Sequence, residues 1–413
     1  MATLRLGNVD KGKTPSDISA FLNPYHISMD DNLKRKLKFR DEGNDKWSSF
    51  KEVKGTNIQQ LQQFLNDAGF MPKANIDGVF GYGTTAAVRL FQEYTRTVEG
   101  KSNIGIPDGV VGQNTARFIR EWRERRSKDA PDYICEWGKA SSDNPTEAYV
   151  HWISLLEKGK EYYSKQKTNP ILQHIEQFDQ PTDTRKVADW DASTDTIHLI
   201  GIRRNHKRSF VGKRQNDDLF VLLLNGRAFY FWRSTDPNPG AASRTDIPFL
   251  IEGQHLYTFG WHKVTDERKT YKALRPAADG VLVFRDKDGN QALNEADLVQ
   301  GLDPAPNKTI NIHWTGIGKT NFSAGCQVIA GASYINHKES FIDCRHFAST
   351  SYAELGGRKT RGAYNLLADL ILTYAAPEVR TVTYTLTRDD TAFLSDELTV
   401  EIIGEVVRRL KEG

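Results

Sequence analysis

Apolar residues recur at helical spacing in NIQQLQQFLNDAGF, where Ile58, Leu61, Phe64 and Leu65 share one face and Gly69 is placed to end the run. Two related phrases follow, IDGVFGYGTTAAVRLFQEY and PDGVVGQNTARFI, and each reads D-G-x-x-G and then a threonine. The Asp-Gly pairs predict tight turns, because glycine accepts positive φ cheaply. Thr84 or Thr85, and Thr115, are predicted to cap the helices that follow. From Glu121 to about Phe178 the pattern is charged helix, and EAYVHWISLLEKGKEYY carries its apolar residues on one side.

Around Trp190 the period switches to strands. DTIHLIGIRR, DLFVLLLNGRAFYFWRSTDP, HLYTFGWHKV and ADGVLVFRDKDG are β-rich runs separated by turn formers, with NGR as a hairpin turn. YNLLADLILTY and ELTVEIIGEVVRRLKEG then predict helices that cover the sheet. The predicted fold class is α+β and multidomain. An irregular arm spans 1–50, with a short helix near Asp30–Phe39, and a three-helix domain spans 51–126. A helical linker spans 127–185, a mainly-β domain 186–345 and a C-terminal helical extension 346–413.

Composition narrows the function classes. Of 413 residues 38% are hydrophobic and 26% charged, as in a globular chain that needs several cores. No stretch approaches the roughly 18 apolar residues of a membrane span. A net charge of +3 does not point to nucleic acid, although mild basicity suits an anionic polymer such as a cell wall. The opening MATLRLGNVDKGKTPSD lacks the apolar core of a signal peptide. The expectation is a protein made in the cytoplasm that does not leave by the general secretory route. Cys135, Cys326 and Cys344 are too few for a disulfide framework, although one Cys326–Cys344 bridge stays open. No CxxC or HExxH cluster appears, and RDKDGNQALNEAD departs from a calcium loop in the position of its glycine. Neither metal nor cofactor is expected.

The stretch HWTGIGKTNFSAGCQV places His313, Ser323 and Cys326 among small residues. A thiol becomes a nucleophile when a neighbouring base takes its proton. INIH reads as the end of one strand and CQVI as the start of another. If the two are neighbours, the intervening loop brings imidazole and thiol together. Backbone N–H groups at 324–326 would then face a developing oxyanion, and the small Gly325 would let a carbonyl approach. The rival chemistry is a carboxylate pair that hydrolyses a glycosidic bond, for which Asp236 and Asp286 are the candidates.

Two resemblances follow from these residues. Asn57 to about Ile119 resembles the peptidoglycan-binding domain of cell-wall enzymes, a three-helix bundle. Asp77-Gly78, Phe80-Gly81, Phe91-Gln92, Asp108-Gly109 and Gly112 carry it. It implies peptidoglycan as a partner, with Asp77, Phe80 and Asp108 on the binding side. I-H followed by S-A-G-C resembles the signature of the L,D-transpeptidases, which act on peptidoglycan stem peptides through an acyl-cysteine. That resemblance implies Cys326 as nucleophile, His313 as base, Ser323 as the motif serine and Gly325 as the oxyanion-loop glycine. It puts Tyr257, His262 and Trp314 on the substrate side. Family members commonly carry histidine where Ala324 stands, and arginine or asparagine where Val328 stands.

The function expected is a peptidoglycan-targeting enzyme of the antibacterial-effector or phage-lysin kind. Its site would have transpeptidase or carboxypeptidase character, and secretion or phage machinery would deliver it to the periplasm or wall. A cognate immunity protein is a further expected partner. The alternatives are a muramidase using Asp236 and Asp286, and a non-catalytic wall-binding or phage structural protein.

Overall fold

The computed structural model describes residues 3–13, 38–41, 46–71, 76–128, 132–139, 144–166, 169–204, 216–242, 245–262, 271–290, 293–318, 323–356, 358–375, 381–389 and 398–413. The helical N-terminal region is built on α1 (Asn57–Asp67), α2 (Tyr82–Thr97) and α3 (Gln113–Lys128). Ile58, Leu61, Phe64 and Leu65 are buried as their spacing requires. Residues of the arm complete the bundle. Asp10 accepts from the backbone N–H groups of Ile58 and Gln59, so it caps α1 from outside the helix. Leu4 and Val9 bridge to Val111 and Val79. Of the helix expected near Asp30–Phe39, Lys38 and Phe39 begin a strand, Lys38–Asp41, and the rest lies outside the described residues.

The two glycine turns are locked by the same device twice. Gln62 and Gln92 each follow an apolar residue on a helix, and each side chain reaches into a turn. Gln62 accepts from the N–H of Gly78 and donates to Asp77, to the Val79 carbonyl and to Thr84. Gln92 repeats this with Gly109, Asp108, Val110 and Thr115. Gly78 and Gly109 have φ of 73° and 78°, which a side chain would strain. The threonines therefore sit inside the first helical turn, tied to the turn glutamines, and are not the caps. The residue before α2 is Gly81, which has no side chain to cap with.

After α4 (Glu147–Lys165) and α5 (Pro170–Gln177) the chain enters a closed eight-stranded barrel. Its strands are β1 (His198–Arg203), β2 (Asp218–Leu224), β3 (Arg227–Ser234), β4 (Gly253–His262) and β5 (Tyr271–Pro276). β6 (Ile312–Trp314), β7 (Gln327–Ile329) and β8 (Val382–Arg388) complete it. The order is β7-β6-β5-β4-β8-β1-β2-β3, closed by β3 pairing with β7 at Ser234 and Val328. Closure leaves these strands no open edge. The β2–β3 hairpin turns at Asn225-Gly226, both at positive φ, as the NGR phrase predicts. α6 (Glu295–Gln300), α7 (Ala363–Tyr374) and α8 (Val400–Glu412) follow.

β8 corrects the expected C-terminal helical extension. VTYTLT alternates with period two and lies in the barrel between β4 and β1, so the last part of the chain is part of the β domain. The bundle and the barrel share one continuous apolar core. Arg89 on α2 makes a bidentate, buried ion pair with Asp369 on α7, at 2.6 and 2.7 Å. Tyr82 packs edge-on against Trp261 at 5.3 Å.

Candidate active site

Parallel pairing of β6 with β7 sets Ile312 beside Gln327 and His313 beside Val328. Gln327 N–H donates to the Asn311 carbonyl, so Cys326 lies next to Asn311. The Asn311 N–H points at the Cys326 sulfur at 3.3 Å, and the thiol donates to the Thr309 carbonyl at 3.3 Å. An N–H donor favours the thiolate, whereas the carbonyl holds the resting thiol proton. Cys326 is half-buried, and neither it nor Cys135 nor Cys344 is in a disulfide, so the Cys326–Cys344 bridge does not form. Burial pushes the Cys135 thiol up to about 12 and raises that of Cys344 well above its ordinary value, which leaves both inert.

His313 is 4% exposed, and its orientation is set from two sides. Nδ1 lies 2.9 Å from the Trp314 carbonyl and 3.1 Å from the Tyr271 hydroxyl. A carbonyl only accepts, so Nδ1 carries the proton and the lone pair is on Nε2, the tautomer a general base needs. Tyr271 also donates to the Trp314 carbonyl at 3.2 Å, and burial holds its phenol well above the ordinary value. The ring of His262 stacks on that of His313, centroids 4.2 Å apart and 19° from parallel.

The loop before Cys326 is shaped by packing. The Ser323 carbonyl accepts from Asn238 N–H at 2.6 Å, and its hydroxyl accepts from Gly325 N–H at 3.4 Å. A Cβ on Gly325 would fall 2.6 Å from Pro248 and 3.1 Å from Ile310. Glycine is thus required there by the neighbouring Pro248, and not by open space for a substrate. Gly316, at φ 63°, similarly faces the Thr350 carbonyl, 2.2 Å from where its Cβ would stand.

Burial reassigns several residues expected on the substrate side. Tyr257 is fully buried, and its hydroxyl donates to the Ile310 carbonyl at 3.0 Å, so it supports the segment entering β6 from beneath. Trp314 is enclosed by Tyr271, Tyr352 and the Arg361 guanidinium. Phe80 has no exposed surface and belongs to the bundle core. Asp77 and Asp108 hold their turns, each accepting from the amide two residues on at 2.9 Å as well as from its glutamine. His262 alone of the barrel trio stays half-buried beside His313.

The carboxylates offered for glycosidic chemistry have other partners. Asp236 is buried and ion-paired with Arg203 at 2.9 Å, next to Asp218, whose carboxyl burial and the Asp236 charge push up to about 7. Asp286 accepts from Asn290 N–H at 3.1 Å, and ligand atoms of Asp286, Asp288 and Asp297 lie within 4.8 Å of one another.

Three residues escaped the sequence reading: Asn311, Tyr271 and Arg275. Antiparallel register puts His262 opposite Tyr271, Gly260 opposite Ala273 and Thr258 opposite Arg275 on one face of the β4–β5 pair. The Arg275 stem lies over Gly260, with its Cδ 2.5 Å from where a Cβ would stand. It has no ion-pair partner among the described residues. Only the glycine in HLYTFGWH hinted at this, as the close approach of another chain segment.

Residues 54–119 match a family model described as a putative peptidoglycan-binding domain. This region is a peptidoglycan-binding domain. Comparison with the curated proteins and with the solved structures finds no match. The bundle bears a cavity of about 250 Å³ lined by Asn57, Gln60, Leu61, Ile119, Arg120 and Arg123. Arginines beside apolar floor suit a polymer that carries carboxylates. No helix among the described residues is long and apolar enough to cross a membrane.

Proposed function

We propose that the chain is a cell-wall enzyme that acts on peptidoglycan stem peptides through Cys326, with L,D-transpeptidase or carboxypeptidase chemistry. The observation that carries this reading is the His313 imidazole, held with Nδ1 2.9 Å from the Trp314 carbonyl, on the strand beside Cys326. Support for the substrate comes from the peptidoglycan-binding domain in the same chain, which raises the local concentration of an insoluble polymer.

In this reading His313 Nε2 takes the thiol proton and the thiolate attacks a stem-peptide carbonyl. A C–S bond forms, and the Cys326 backbone N–H faces the oxyanion. Collapse breaks the C–N bond, and the amine leaves with the proton from the imidazolium. Water or a second amine then attacks the thioester and releases the thiol. Arg275, on the His262 face of the sheet, is the cation for a substrate carboxylate. It would replace the arginine that the signature lacks after the cysteine.

The test is digestion of purified peptidoglycan by the wild type and by Cys326→Ala, with products identified by mass spectrometry. Altered stem peptides that vanish in the variant support the reading. Disaccharide products that persist in the variant overturn it and return attention to the carboxylates.

A further inference from the structure

We propose that His262 is the positioning residue of the thiol site, acting with Asn311 to hold the His313 imidazole and the Cys326 thiol in one arrangement. The proposal rests on the cysteine reading above. It differs from a substrate-side role, because it makes His262 part of the support for the base.

His262 ends β4, and its side chain reaches past β5 to β6. The floor it crosses is small: Gly260 pairs with Ala273 at the level of His313, two register pairs before the His262–Tyr271 pair and on the same face. The lack of bulk there lets the two imidazoles lie face to face at 4.2 Å. Nδ1 of His262 then meets the Asn311 side-chain amide at 3.0 Å. The same Asn311 gives its backbone N–H to the Cys326 sulfur. One asparagine thus touches the second imidazole with its side chain and the thiol with its main chain. His313, His262, Asn311 and Cys326 thus form one connected run of contacts from base to thiol.

The chemistry gives the stack a direction. With Nδ2 of Asn311 as donor, Nδ1 of His262 bears the lone pair and the ring is neutral. A neutral π face is a good neighbour for the imidazolium that His313 becomes when Cys326 ionises. A second positive charge at 4.2 Å would oppose it, so the stack favours a single positive charge on the pair. The other groups facing the pair do not take that proton. Tyr271 on β5 reaches His313 Nδ1 and is kept protonated by burial. Tyr352 lies behind it, donating to the Tyr271 hydroxyl, and Arg361, always charged, covers the Tyr271 ring at 4.4 Å. Arg275 on β5, always charged, lies over Gly260 on the same face, and Cys326 is the thiol that exchanges its proton with the pair.

The experiment needs no substrate. Iodoacetamide is reacted with the full chain across acid to mildly alkaline pH, and carbamidomethylation of Cys326 is followed by mass spectrometry. Wild type, His262→Ala, His262→Phe and His313→Ala are compared. The expected wild-type profile has an inflection from the thiolate–imidazolium pair at lower pH than that of an isolated thiol. His313→Ala should lose that inflection and react as a free thiol. His262→Ala should react roughly tenfold more slowly at neutral pH, with its inflection moved to higher pH, because the base is no longer held. His262→Phe keeps a ring on His313 but offers Asn311 no acceptor, and should fall between the two.

A His262→Ala profile that superimposes on wild type while His313→Ala collapses would overturn the positioning role. If His313→Ala also superimposes on wild type, the cysteine reading itself fails. Folding is read in the same spectra, since buried Cys135 and Cys344 react only in an unfolded chain. Should the alanine variant unfold, the same comparison made with His262→Phe decides the matter.

Discussion

His255 shows how little a residue type says before its surroundings are known. It is fully buried on β4, where Nε2 donates to the Ile251 carbonyl at 3.1 Å and Nδ1 meets the Thr184 hydroxyl at 2.9 Å. Burial pushes its imidazole down to about 3, so it stays neutral in the fold. The unfolded chain protonates near 6.5, so the stabilisation is complete above about pH 6.5 and is lost as pH falls toward about 3. His255→Gln should make the fall of melting temperature over that window shallower than in the wild type; parallel curves would contradict this. His313, of the same residue type, is held differently, with its Nδ1 on a carbonyl and its face on another imidazole, the orientation the proposed base would need. Cys326 and His313 were legible because SAGC and IH are local phrases. Asn311, Tyr271 and Arg275 were not, because they reach the site through strand register, which single-strand patterns do not reveal. Tyr257, Trp314 and Phe80 misled for a related reason. An aromatic on a strand or turn is a contact or a core residue according to the face it takes. Arg275→Gln should raise KM for stem peptides roughly tenfold with little change in kcat, as loss of a ground-state carboxylate contact does.

At the scale of elements, the bundle was legible almost throughout, since its helices and glycine turns are set by neighbouring residues. Its threonine caps were misplaced because the turns are closed by Gln62 and Gln92, whose targets lie a full helix away. Gln92→Leu would leave the Gly109 N–H and the Thr115 hydroxyl without that partner, at a cost of about 2 kcal/mol or more in chemical denaturation. β8 was missed because the eye follows the helices on either side of it, although VTYTLT alternates plainly. The α2–α7 contact was beyond any local pattern. Asp369→Ala should destabilise by about 3–5 kcal/mol, because it strands the Arg89 guanidinium in the core. The double variant Arg89→Met, Asp369→Leu should recover most of that loss. A single variant within about 1 kcal/mol of wild type would show that the ion pair does not hold the bundle to the barrel.

In the whole molecule the bundle is packed against the barrel and shares its core, so the peptidoglycan-binding domain and the thiol belong to one body. Arg120→Glu with Arg123→Glu, in the bundle cavity, should cut co-sedimentation with insoluble peptidoglycan by roughly tenfold while lowering the melting temperature only slightly, through the lost Arg123 contacts with Gln60 and Phe64. The barrel was legible as a β domain but not as a closed one, since closure depends on β3 meeting β7 and on β8 entering between β4 and β1. Those pairings join distant parts of the chain and carry no local signature. Acylation of Cys326 is the step on which the proposed function depends. Intact-protein mass spectrometry after brief incubation with a synthetic stem tetrapeptide reads it directly. A mass increase matching the peptide acyl group, mapped to Cys326 and absent from Cys326→Ala, is expected. An unmodified Cys326 in a protein that still degrades peptidoglycan would contradict it.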